Sequence, residues 1–307
     1  MENVKITAEK IRKLQVQGAR NVAIAAIKAL QTLSEHTKAK TKSELIDELK
    51  QAQALLFASR VTEPLMRNAV RWVINQAVDC SSEKVENVAE LVVANVGLFL
   101  QNLDASRECT AEIGAKRIRD GMLVATHCHS STVTRTLAKA KEDGKNFSVI
   151  CTETRPAFQG RITAREMVEL GIETIFIVDS AARSYMGNVD LVVVGADAIT
   201  SEGNVVNKIG SSSIAVLARE ARKPFYVVSE LLKFDPETLG GEYEKIEHRD
   251  PSEVWSEAPS KLSVRNPAFD VTPSRYIDGI ICEEGVLPPQ SVAEVIRRAY
   301  PWVFKNL

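Results

Sequence analysis

Residues 122–131 read M-L-V-A-T-H-C-H-S-S, and Cys128 stands where an apolar run gives way to a polar cluster. Such a run has the texture of a strand buried on both faces, and the serines after it suit a helix N-terminus. A thiol at that junction lies near partly positive backbone N–H groups, which favour the thiolate and predict a reactive cysteine. A second run, L-V-V-V-G-A-D, ends in Asp197. In open α/β sheets the carboxyl ends of the strands line the ligand crevice, so Cys128 and Asp197 are expected to face one pocket. A thiol and a carboxylate so placed can move protons. The plain alternatives are a buried structural cysteine and an aspartate that caps a turn.

Anion-binding groups recur nearby in the sequence. Asn207 and Lys208, followed by Gly210 and Ser211-Ser212-Ser213 at the start of a helix, offer an ammonium and backbone donors. Gly18, Ala19 and Arg20 interrupt a helical pattern; the glycine reads either as tolerated packing or as a place where a backbone N–H approaches a phosphate, with Arg20 as its charge partner. Arg60, in S-R-V-T-E-P, is similar, although an arginine at a helix break is usually solvated surface. Arg155, in T-E-T-R-P, follows the next strand, and its plain reading is a salt bridge with Glu153. His127 and His129 flank Cys128 but point to the opposite face of an extended chain, so no convergent metal site is expected.

The elements that must position these residues change character near residue 120. Before it, Val22, Ile24, Ala26, Ile27 and Leu30 mark one helix, and Leu45, Ile46, Leu49, Leu55 and Leu56 another. Segments 62–78 and 83–118 continue in that style. After Gly121, strands are expected at 122–127, 147–152, 174–178, 191–195, 225–229 and 277–282. Helices are expected at 131–142, 163–170, 181–186, 211–222 and 290–299, with Ser130 or Ser131, Thr163 and Ser211 as caps. The alternation predicts an α/β protein: an all-helical domain over 1–120, then a Rossmann-like parallel sheet over 121–307.

The 307 residues carry 45% hydrophobic and 26% charged side chains and a net charge of −1, which disfavours a polybasic nucleic-acid binder. Five scattered cysteines without a C-x-x-C pair fit a reducing cytoplasm rather than a disulfide framework. No apolar run approaches the roughly 20 residues that cross a bilayer, and the opening residues Met-Glu-Asn-Val-Lys lack the apolar core expected of a signal peptide. A cytoplasmic protein with no membrane or nucleic-acid partner is expected.

The motifs R-I-R-D-G (117–121), T-H-C-H-S (126–130), T-E-T-R-P (152–156), V-D-S-A-A-R (178–183), G-A-D-A-I-T (195–200), N-K-I-G (207–210) and N-P-A-F-D-V-T-P (266–273) occur in that order. In this the chain resembles the archaeal ribose-1,5-bisphosphate isomerases. Their superfamily also holds methylthioribose-1-phosphate isomerase and the alpha, beta and delta subunits of translation initiation factor 2B. The resemblance implies a helical domain joined to a Rossmann-like one and catalysis by Cys128 and Asp197. It also implies substrate binding by Gly18, Ala19, Arg20, Arg60, Ser130, Arg155, Asn207 and Lys208, without metal or cofactor. Homo-oligomers, either dimers or hexamers built from dimers, are implied too. The expected chemistry has Asp197, kept neutral by burial, open the sugar ring, while Cys128 as thiolate carries a proton from C2 to C1. A methylthioribose-1-phosphate-type isomerase and a non-enzymatic regulatory subunit are the alternatives.

Overall fold

The computed structural model describes residues 1–60, 62–241 and 245–305. Its helical part contains α1 (Glu2–Arg12), α2 (Ala19–Glu35), α3 (Lys42–Ser59), α4 (Pro64–Val78) and α5 (Val85–Ala115). Local chemistry sets their ends. The Thr41 hydroxyl accepts from the Glu44 amide at 3.2 Å, and the Glu44 carboxylate accepts from the Lys40 amide at 2.7 Å, so α3 starts there. Pro64 begins α4, where its missing N–H costs no hydrogen bond. Leu45, Leu49, Ala52 and Leu56 form the buried stripe of α3, spaced as one face of a helix must be.

The rest of the chain runs through β1 (Leu123–Thr126), α6 (Ser131–Glu142), β2 (Ser148–Thr152), α7 (Gly160–Glu169), β3 (Glu173–Ile177) and α8 (Ala182–Met186). Then come β4 (Leu191–Val194), β5 (Ala198–Ile199), β6 (Val205–Lys208), α9 (Ser211–Glu220) and β7 (Phe225–Val228). The chain closes with β8 (Phe269–Thr272), β9 (Gly279–Cys282), β10 (Gly285–Leu287) and α10 (Val292–Ala299). Seven strands form one sheet in the order β10-β9-β7-β4-β1-β2-β3, parallel except for β10. A second, antiparallel sheet, β5-β6-β8, stands beside it. The fold is therefore mixed α/β, with all six expected strands present and the small sheet added.

The strand order reverses between β1 and β4. From β1 the chain steps outward to β2 and β3, then returns to place β4 on the other side of β1 and continues to β7 and β9. Such a reversal leaves a crevice at the carboxyl ends of the two strands. Beneath it the sheet packs through Val124, Val149, Cys151, Leu191 and Val193 against Val133 and Leu137 of α6 and Met167 of α7.

Two compact units result: Met1–Ala105 with Tyr300–Leu307, and Ser106–Ala299. Residues 120 and 121 mark the change from helix to strand, but the units part earlier, within α5. The reason is packing, since Ala115 and the following Ile118 belong to the core under the sheet. With 31 residues, α5 is long and apolar enough to cross a membrane by length and composition. Val88, Val92, Val96, Phe99 and Leu103 are nonetheless buried along it at helical spacing, as in the core helix of a folded domain.

Candidate active site

Cys128 follows β1 at φ 68°, a left-handed backbone that L-residues rarely adopt. The turn is held at both sides of the residue: its amide donates to Thr154 Oγ1 at 2.9 Å, and its carbonyl accepts from Thr163 Oγ1 at 2.9 Å. Thr154 has φ 65°, which a β-branched residue keeps only under constraint. Asp179 supplies that constraint by accepting the amides of Thr154 and Arg155 at 2.7 and 2.8 Å. Ser130 caps α6, as expected, accepting from the Val133 amide at 3.4 Å. Thr163 and Ser211 are not caps. Thr163 lies inside α7 and holds Cys128, whereas the Ser211 hydroxyl donates to the Lys208 carbonyl at 2.7 Å.

The end of β4 closes against this turn. A Cβ added at Gly195 would lie 2.6 Å from Ser130 Oγ, so only glycine fits there. Asp197 comes two residues later, and the charges of both Asp197 and Lys208 act on the Cys128 sulfur. Lys208 and Asn207 are buried on β6, next to β8. Cys128, Ser130, Asp197 and Lys208 are thus gathered near the reversal point, whereas the Asn207 amide donates to the Ser211 hydroxyl at 2.9 Å.

The protonation of Cys128 departs from expectation. The cysteine retains some exposed surface, but the protein packed around its sulfur desolvates it and pushes the thiol up to about 11; Lys208 counteracts this and Asp197 adds to it. At neutral pH the residue is a thiol, not the expected thiolate. Burial outweighs the helix-terminus dipole here.

His127 carries no charge either, because burial lowers its pKa. Its Nε2–H donates to the Ile209 carbonyl at 2.8 Å, so its Nδ1 accepts from the Thr152 hydroxyl at 2.6 Å. His129 turns instead to Thr163 Oγ1, at 3.2 Å. His127 therefore ties β1 and β2 to the turn after Lys208. A Cβ at Gly210 would lie 3.0 Å from His127 Nε2, so that turn approaches the ring closely.

The start of α9 is not an open anion site. The Asp270 carboxylate, on β8, accepts the amides of Gly210 at 2.7 Å and Ser212 at 3.1 Å. Burial raises Asp270 to about 6, and these two hydrogen bonds oppose the rise. Sequence reading missed this role because the helix and its capping carboxylate are 60 residues apart.

Arg155 does not pair with Glu153, whose carboxylate meets Arg161 at 2.6 Å. The exposed Arg155 guanidinium donates to the Val254 carbonyl at 2.8 Å. Arg249 was also missed, and its charge acts on the Cys128 sulfur. No motif marks it, because it lies in an irregular segment.

The other four expected residues belong to the helical unit. Gly18 starts α2 at φ 83°, and Ala19 and Arg20 follow it into the helix. Arg20 is buried, donating to the Leu103 carbonyl at 2.9 Å and to Asp104 at 2.5 Å. Arg60 is buried rather than solvated, with Nε 3.2 Å from Glu63.

A helical unit, a reversed parallel sheet and a thiol–carboxylate pair at the reversal define a Rossmann-like protein equipped for proton transfer. Comparison with known proteins gives this class a family. The chain belongs to the initiation factor 2 subunit family, whose model matches residues 15–289. It is 42% identical to the ribose 1,5-bisphosphate isomerase of Pyrococcus furiosus over 97% of this chain and 94% of that one. Its identity to the Archaeoglobus fulgidus protein of the same name is 44%, over 96% and 93%. Among solved structures it is similar to the translation initiation factor eIF-2B of Pyrococcus horikoshii OT3, with a TM-score of 0.82 and 31% identity over 94% and 98%.

Proposed function

We propose that the chain converts α-D-ribose 1,5-bisphosphate to D-ribulose 1,5-bisphosphate as an aldose–ketose isomerase. The observation that carries this reading is that Cys128 and Asp197 follow β1 and β4, the strands at the reversal, where the charges of Asp197 and Lys208 both reach the sulfur. Identities of 42% and 44% to isomerases of that name support the choice of sugar.

The reaction sets the requirements. Phosphate on the anomeric oxygen prevents ring opening by simple hemiacetal chemistry, so an acid must give the ring oxygen a proton as its bond to C1 breaks. A base takes the C2 proton, leaving a phosphoenolate, and that proton returns to C1. The C2 hydroxyl then gives up its proton to the spent acid, and the ketone forms. Two groups starting with one proton between them complete this cycle without net gain or loss. Cys128 and Asp197 are those groups, and at neutral pH the sulfur holds a proton at the start. Lys208 and Asn207 face the developing oxyanion, where charge and hydrogen bonding stabilise the transition state.

Gly18, Ala19, Arg20, Arg60, Ser130 and Arg155 supply the donors for the substrate and its phosphates, converting remote binding energy into orientation. The working protein is a cytoplasmic homo-oligomer, a dimer or a hexamer built from dimers. Its place is in salvage of AMP and related nucleoside phosphates. Cys128→Ser and Asp197→Asn are each expected to cut turnover by about 10²–10⁴-fold, leaving melting temperature and product binding near wild type. A loss below tenfold in both variants would remove the pair from catalysis.

A further inference from the structure

Residues 247–249 lie alongside 266–268. The Arg249 amide donates to the Asn266 carbonyl and the Ala268 amide to the Glu247 carbonyl, each at 2.9 Å, with His248 bridging Pro267. Ala268 also accepts from the Ile209 amide at 3.1 Å, immediately after Lys208. The same segment supplies the Val254 carbonyl that holds Arg155. Asn266 fixes it further, donating to the Asp250 carbonyl at 2.9 Å. A loop whose regular structure is one short 3-10 turn at Pro251–Glu253 is thus secured to the residues that lead into β8, the strand next to Lys208.

Arg249 is the cation that this loop delivers. Its side chain is 7% exposed, and Nε lies 3.2 Å from Glu247. Its two terminal nitrogens have no partner among the described residues. The guanidinium is largely enclosed while its terminal N–H groups keep contact with solvent, so they are open to an anion, and the planar fork matches a phosphate through two parallel hydrogen bonds.

We propose that Arg249 is a further substrate-binding residue, whose guanidinium grips the phosphate on C1 of the sugar. This rests on the isomerase reading. Cys128 and Asp197 must reach C1 and C2, so a cation on a loop anchored through Ala268 to Ile209, next to Lys208, lies toward the phosphate on C1 rather than the one on C5. Arg155 remains for the other end.

The test compares wild type with Arg249→Gln and Arg249→Lys. Arg249→Gln is expected to raise KM for ribose 1,5-bisphosphate by about 10- to 100-fold, the scale of a lost charged hydrogen bond, with a smaller change in kcat. Arg249→Lys should fall between, keeping the charge without the fork. The inhibition constant for ribose 5-phosphate, which lacks the C1 phosphate, should stay within threefold in both variants. Arg249→Lys also keeps the pairing with Glu247, so its affinity for ribulose 1,5-bisphosphate by calorimetry decides the matter should Arg249→Gln fold poorly. Unchanged KM and affinity would overturn the proposal. So would an equal rise in the ribose 5-phosphate constant, which would put Arg249 at the far phosphate. A wild type inert on ribose 1,5-bisphosphate would instead defeat the isomerase reading and take this proposal with it.

Discussion

At the scale of residues, the sulfur of Cys128 shows two opposing effects and which one wins. A helix start favours the thiolate, but desolvation is larger and pushes the thiol up to about 11. Alkylation by iodoacetamide, read as the difference between wild type and Cys128→Ser, should be slow at pH 7 and keep rising to about pH 11. A plateau near pH 8 would show the helix terminus prevailing. Linkage gives a second readout. A thiol raised in the folded state contributes stability fully below its unfolded pKa and loses it as pH rises through the folded value. Burial also raises Cys151 and Cys282, both to about 12. Melting temperature should therefore fall between about pH 9 and 12, and Cys128→Ser should flatten part of that fall. Cys128 and Asp197 were legible because each ends an apolar run, a local pattern. The protonation state was not, since it depends on what packs around the sulfur from elsewhere in the chain. Arg249 was illegible for the same reason: its loop has no periodicity, and its reach depends on Asn266 and Ala268.

At the scale of elements, the parallel strands could be read from their apolar runs and the helices after them from periodicity. The β5-β6-β8 sheet could not, because V-V-N-K and F-D-V-T lack the continuous apolar run of the main strands, and β6 pairs with β8 across about 60 residues. That sheet matters, since it holds Lys208 beside Asp270 and the start of α9. Two outcomes test it. Gly210 sits at φ 104° with His127 close by, so Gly210→Ala should cost about 1–3 kcal/mol in stability and depress activity. Gly187→Ala, with open space around it, should stay within about 1 kcal/mol of wild type. Equal effects of the two substitutions on thermal unfolding would contradict the clamp. Asp270 gives a pH test whose sign is opposite to that of the usual carboxylate. Because its folded pKa is raised to about 6, the stability it contributes is present at acid pH and lost as pH rises through that value. Wild type should lose stability relative to Asp270→Asn between about pH 4 and 7, and a gain over that window would contradict the burial argument.

At the scale of the whole molecule, the mixed α/β class and the helical first part were visible in the change of texture near residue 120. The parting of the units inside α5 was not, because one continuous helix serves two cores and its pattern does not break between them. Family membership adds the scaffold, and proteins on that scaffold carry the names of an isomerase and of an initiation factor. Fold does not choose between such functions; the site does. The purified protein should be incubated with ribose 1,5-bisphosphate while ribulose 1,5-bisphosphate is followed, with Cys128→Ser and Asp197→Asn alongside. The expected result is product from the wild type and a loss of about 10²–10⁴-fold in each variant. A folded wild type that forms no ribulose 1,5-bisphosphate, or variants that match it, would contradict the assignment of this chain as an isomerase acting through Cys128 and Asp197.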